Sequence, residues 1–88
     1  MLNYEVRLSQ TAQEFLAKLD KHLHERIAKR LMRLGENPVP SDSKFIRREQ
    51  GEKMFRYRVG DYRALYKVKE AERVVLVTKI DKRPRAYD

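Results

Sequence analysis

The 88 residues carry 21 Lys and Arg against 13 Asp and Glu, giving a formal net charge of +8 and a pI near 10, and 41% of them are apolar. That composition bounds one domain, residues 1–88, with one modest core; it is too apolar for a disordered chain and basic enough to attract polyanions. With no cysteine there is neither a disulfide framework nor a thiolate metal site, and three Pro and three Gly leave most of the chain to regular structure.

The opening MLNYEVRLSQ has no apolar h-region and no small-residue cleavage site. No apolar run approaches the roughly 20 residues of a membrane span, so a cytoplasmic protein is expected. Tyr4, Val6 and Leu8 alternate with Glu5 and Arg7 as a first strand. Ser9 or Thr11 opens a helix, Thr11 with Glu14 fitting a capping box, and Ala12, Phe15, Leu16 and Leu19 follow at helical spacing. Asp20 suits the N-cap of a second helix, whose Leu23, Ile27, Leu31 and Leu34 share a face. Gly35 is expected to end it at positive φ, with Pro38 and Pro40 preventing its return.

A loop of Pro, Ser and Asp runs from Pro38 to Ser43, and the remainder reads as β. Lys44 to Arg47 is a short strand, Phe55, Tyr57 and Val59 alternate with Arg56 and Arg58, and Gly60-Asp61 suits a two-residue hairpin turn. Tyr62 to Lys69 forms the return strand, a turn surrounds Ala71, and Arg73 to Ile80 is a last strand apolar enough for a central place. The expected fold class is α+β, in the order β-α-α-β-β-β-β: a twisted antiparallel sheet with an N-terminal helical hairpin packed on one face.

The Gly60-Asp61 turn fixes a register that puts Val59 opposite Tyr62, Tyr57 opposite Ala64 and Phe55 opposite Tyr66, an aromatic layer beneath the helices. The other side carries Arg58 opposite Arg63, with Arg56 two residues back. Facing like charges destabilise a sheet, and guanidinium forks suit phosphate oxygens, so this face reads either as a phosphate site or as a solvated polar surface. Lys82, Arg83 and Arg85 follow the last strand, and Tyr87 offers a phenol able to stack on a base or, near cations, to ionise more easily. His22 and His24, two apart on a helix, point different ways, so no metal site is expected. No Gly-rich phosphate loop, nucleophile motif or paired carboxylates appear. Nucleic acid is the partner best matched to the charge, ahead of an acidic protein or membrane surface.

The stretch from Phe55 to Tyr66, FRYRVGDYRALY, resembles the central motif of the RelE/ParE toxin superfamily, and Asp81 to Tyr87, DKRPRAY, resembles the C-terminal motif of its RelE branch. The resemblance implies a type II toxin–antitoxin toxin with a RelE-like fold and no cofactor. It implies entry into the ribosomal A site and mRNA cleavage there by 2′-OH attack on the adjacent phosphodiester, leaving a 2′,3′-cyclic phosphate. A RelB-type antitoxin would neutralise it. In that reading Arg63 holds the scissile phosphate and Arg83 stabilises the transition state or leaving group. Tyr87 stacks on or polarises the substrate, and Lys53, Lys82 and Arg85 are further RNA contacts. Arg56 and Arg58 stand where several relatives carry catalytic lysines. Arginine stays protonated, so here the pair stabilises charge, and the general base is sought in Tyr87, with Lys53 or Lys82 behind it. A ParE-like gyrase inhibitor without nuclease activity and a non-enzymatic ribosome- or RNA-binding module are the alternatives.

Overall fold

Glu5–Leu8 forms the first strand, β1, in a computed structural model that describes residues 3–82. Helices α1 (Gln10–Ala17) and α2 (Lys21–Met32) follow, then a 3-10 turn at Arg33–Gly35 and strands β2 (Ser43–Glu49), β3 (Glu52–Val59), β4 (Tyr62–Lys69) and β5 (Val74–Lys82). The strands make one sheet in the order β1-β5-β4-β3-β2, with the helical hairpin across one face. This is the α+β arrangement expected, with one refinement: β1 runs parallel to β5, and every other pair is antiparallel. The hairpin acts as a crossover, carrying the chain from one sheet edge to the other, so the last strand returns to the inside of β1. The Glu5 N–H to Arg73 C=O and Ser9 N–H to Val77 C=O bonds, 2.8 and 2.9 Å, bracket that parallel pair.

Ser9, not Thr11, caps α1. Its Oγ accepts from the Ala12 N–H at 3.1 Å and donates to the Thr78 carbonyl at 2.9 Å. Because the helix begins directly after β1, the hydroxyl that can reach both the open helix end and β5 is the earlier one; Glu14 instead accepts from Gln10. Ser9→Ala is expected to cost about 1–2 kcal/mol in urea unfolding, since one hydroxyl serves both a helix cap and a link between elements.

Asp20 caps α2 as expected, its carboxylate accepting from the Leu23 N–H at 3.0 Å. Ile27, Leu31 and Leu34 are buried and Leu23 is half-buried. Gly35 corrects the expectation for the helix end, because it does not take positive φ. The helix tightens into the 3-10 turn, and the buried Gly35 carbonyl accepts from the Asn3 and Tyr4 N–H groups at 3.0 and 2.9 Å. The end of the helical hairpin is thereby tied to the start of β1.

Strands β2 and β3 are longer than the apolar alternation indicated. They meet at Gln50-Gly51, both at positive φ, the pattern of a type I′ turn. The core lies between sheet and helices: Leu16, Ile27, Leu31, Leu34, Tyr66, Val75 and Val77 are sealed from solvent, with Phe55, Tyr57, Val59, Ala64 and Ile80 around them. The opposite face of the sheet carries no helix and holds the charged side chains.

Candidate nucleic-acid interface

The two-residue turn sets the register that the sequence implied. Val59 pairs with Tyr62, Arg58 with Arg63, Tyr57 with Ala64, Arg56 with Leu65 and Phe55 with Tyr66. Gly60 supplies φ +60° at the first turn position while Asp61 stays at negative φ, as a type II′ hairpin requires. A Cβ on Gly60 would stand 3.1 Å from the Arg26 guanidinium, so the bare turn also makes room for a cation from α2.

Phe55, Tyr57, Ala64 and Tyr66 point into the core, so alternation puts Arg56, Arg58 and Arg63 on the open face. Arg58 is exposed, and Arg56 and Arg63 are half-exposed. Neighbouring strands add three groups that apolar alternation did not reveal. Lys44 on β2 stands opposite Arg56; on β5, Lys79 stands opposite Leu65 and Asp81 opposite Arg63. Arg63 therefore sits between Arg58 and Asp81, which eases the like-charge cost of the arginine pair. The Asp81 carboxylate is also 3.5 Å from the Lys79 ammonium.

The same face behaves differently towards the Gln50-Gly51 end. Glu49 bridges Arg47 at 2.6 Å and Lys67 at 3.5 Å, and Glu52 holds Lys69 at 2.9 Å. The Arg47 hydrogen bond, aided by Lys67, lowers the Glu49 carboxyl below the usual carboxylate range, and the Glu52 hydrogen bond raises the Lys69 ammonium. Glu5 and Arg7 of β1 pair at 3.0 Å. That half of the face is threaded with ion pairs; the half near Gly60 carries Lys44 on β2, Arg56 and Arg58 on β3, Arg63 on β4, and Lys79 with Asp81 on β5.

Of the remaining expected contacts, Lys53 and Lys82 do not join this group. Lys53 pairs with Val68, and Lys82 with Tyr62, whose ring meets Phe15 edge-on at 6.0 Å, so both positions belong to the helix side of the sheet. Arg83, Arg85 and Tyr87 lie outside the described residues. Among the described residues no three His, Cys, Asp or Glu converge as metal ligands, and no helix is long and apolar enough to cross a membrane.

Residues 6–87 match the family model of the ParE toxin of the type II toxin–antitoxin system parDE. The fold is similar to the archaeal RelE–RelB complex structure from Pyrococcus horikoshii OT3, at 26% identity and TM-score 0.84, covering 96% of this chain and 99% of that one. It is similar also to the RelBE2 toxin–antitoxin complex from Mycobacterium tuberculosis, at 30% identity and TM-score 0.78, covering 94% of each chain. The isolated E. coli RelE toxin matches at 25% identity and TM-score 0.72, covering 96% of this chain and 88% of that one. The comparison with curated proteins gave no match. Fold and sequence together define a toxin of a type II toxin–antitoxin system. The chain belongs to the ParE toxin family, within the RelE/ParE superfamily, and has the RelE-like fold.

Proposed function

We propose that this toxin is a ribosome-dependent endoribonuclease that cuts mRNA in the A site. The observation that carries the reading is the cross-strand Arg58–Arg63 pair on the open face, with Arg56 and Lys44 beside it. Three guanidinium groups at neighbouring register positions suit a phosphate that gains negative charge as it becomes pentacoordinate. The ribose 2′-OH attacks the adjacent phosphorus, the bond to the 5′-oxygen of the next nucleotide breaks, and a 2′,3′-cyclic phosphate remains. The nucleophile belongs to the substrate and the arginines supply the charge, so the reaction as drawn calls on no metal or cofactor.

Arg63 holds the scissile phosphate, and Arg56 and Arg58 stabilise the phosphorane without exchanging protons. From the tail, Arg83 stabilises the departing oxygen, Arg85 holds flanking RNA, and Tyr87 accepts the 2′-OH proton or stacks on a base. Lys53 and Lys82 occupy helix-side register positions, which favours Tyr87 as the base. Much of the acceleration would come from the ribosome holding the mRNA in line for attack. A RelB-type antitoxin of opposite charge is the proposed neutralising partner, supported by the antitoxin complexes of the archaeal and mycobacterial relatives.

The ParE description of the matched family supports a second reading, a gyrase inhibitor that cuts no RNA. One experiment separates the two. The toxin is added to ribosomes translating a defined mRNA, and the ends are mapped by primer extension. New ends within A-site codons are expected; their absence, together with stabilised gyrase–DNA cleavage, would replace the first reading with the second.

A further inference from the structure

The charge pattern of the open face gives an RNA strand a direction. Beyond Arg63 towards β5 lies Asp81, and towards the Gln50-Gly51 end lie Glu49 and Glu52. Towards β2 the strand meets Arg58, Arg56 and then Lys44, three basic side chains at successive register positions. From β4 to β2 is two strand spacings, about 10 Å, more than a single phosphate group can bridge.

At that end the surface dips into a groove of about 390 Å³ lined by Ser41, Asp42, Ser43, Lys44, Arg56 and Arg58. Its carboxylate, Asp42, is drawn towards α2 by the Arg30 guanidinium at 3.0 Å. Arg30 is itself fixed, donating to the Tyr57 hydroxyl at 3.2 Å. Ser43 Oγ donates to the Pro40 carbonyl at 2.7 Å, which sets the groove wall. Lys44 is exposed and, unlike Lys67, Lys69 and Lys79, has no carboxylate partner among the described residues.

We infer that this groove is a second phosphate site, in which Lys44 binds a backbone phosphate next to the scissile one. The inference rests on the RNA-cleaving reading and extends it. RNA would cross the sheet from Arg63 to the β2 edge, roughly at right angles to the strands, and the groove would fix which bond lies over the arginine pair.

A thermodynamic cycle tests it, using uncleavable 2′-O-methyl RNA trinucleotides with each phosphate replaced in turn by an uncharged methylphosphonate. In the wild type, one replacement outside the scissile position should weaken binding about threefold to fivefold, the scale of an exposed ion pair. In Lys44→Ala that replacement should cost nothing further, while Arg63→Ala should remain sensitive to it. Lys44→Ala should also lower the slope of log affinity against log salt by about 1. Lys44 is an exposed edge position, so the variant tests contact rather than folding. Equal sensitivity of wild type and Lys44→Ala at every phosphate would overturn the groove, as would failure of the wild type to bind the probes. Coupling at Lys44 without A-site cutting by the wild type would instead uphold the groove and remove the ribosome-dependent reading.

Discussion

Arg63→Ala is expected to slow A-site cutting by about two to three orders of magnitude, the range seen when one preorganised charge stabiliser is removed from an active site. Arg63 has the position for this effect. It faces Arg58 across β3, Asp81 flanks it across β5, and it comes from β4, the middle strand of the five. A fork held in the sheet centre would need little reorganisation to meet a phosphate. Arg58→Ala should cost less, because Arg56 and Arg63 still bracket the site. Arg63→Lys should recover only part of the rate, since an ammonium keeps the charge and loses the planar two-point contact. The fold should survive: Arg63 is half-exposed on the face without helices and outside the buried core, so its truncation opens no cavity there. Single-turnover cutting on programmed ribosomes, with thermal unfolding of the same samples, checks both statements. Wild-type rates from Arg63→Ala would place the reacting phosphate elsewhere. Tyr87→Phe should also slow cutting and should flatten the pH profile if the phenol takes the 2′-OH proton.

Much of the architecture was legible because its signals are local. Asp20 caps α2, Ile27, Leu31 and Leu34 recur at helical spacing, and Gly60-Asp61 demands a two-residue turn. Once that turn is fixed, the side of every residue from Phe55 to Tyr66 follows, and the Arg58–Arg63 pair with it. What local pattern left open, or set wrongly, is long-range. Ser9 prevails over Thr11 as the cap because it also reaches the Thr78 carbonyl, 69 residues away. Gly35 stays at negative φ because its carbonyl is engaged by Asn3 and Tyr4, a contact that pattern does not encode.

The site shows the same division. Arg56, Arg58 and Arg63 were visible from a hairpin, whereas Lys44, Lys79 and Asp81 needed the pairings of its neighbours. On β5 an irregularity intervenes: Tyr66 pairs with Val77 but Leu65 with Lys79, so Thr78 is an extra residue whose Oγ1 donates to the Leu65 carbonyl at 3.3 Å. An uninterrupted alternation from Val77 would put Asp81 on the core side. The bulge turns it to Arg63 and sends Lys82 to the other face. Lys53, expected from the resemblance as an RNA contact, stands by strand parity on the helix side of the sheet, away from the three arginines.

Tyr66→Ala is expected to be the most damaging core substitution, about 3–5 kcal/mol, a large part of the 5–15 kcal/mol that holds a domain of this size together. The ring is fully buried, stacks on Phe55 with centroids 5.4 Å apart and meets Tyr57 edge-on at 6.5 Å. Its hydroxyl donates to the Pro38 carbonyl at 2.6 Å, anchoring the loop that leads to Asp42, Ser43 and the Lys44 groove. Tyr66→Phe separates these roles: the packing stays, the anchor goes, and the expected loss is about 1 kcal/mol at neutral pH. Burial pushes the Tyr66 phenol up from its ordinary value of 10.0 to about 12. The unfolded chain therefore releases this proton first. Above pH 10 unfolding is favoured by that release, and the stabilisation from a neutral buried phenol declines until the folded form also ionises near pH 12. Urea midpoints of the wild type should accordingly fall more steeply between pH 10 and 12 than those of Tyr66→Phe, so the wild type's advantage of about 1 kcal/mol is lost within that range. Parallel curves would mean that the phenol does not feel its burial. Because the anchored loop walls the groove, Tyr66→Phe should also weaken trinucleotide binding at neutral pH while the Arg58–Arg63 register, set by the hairpin alone, stays in place.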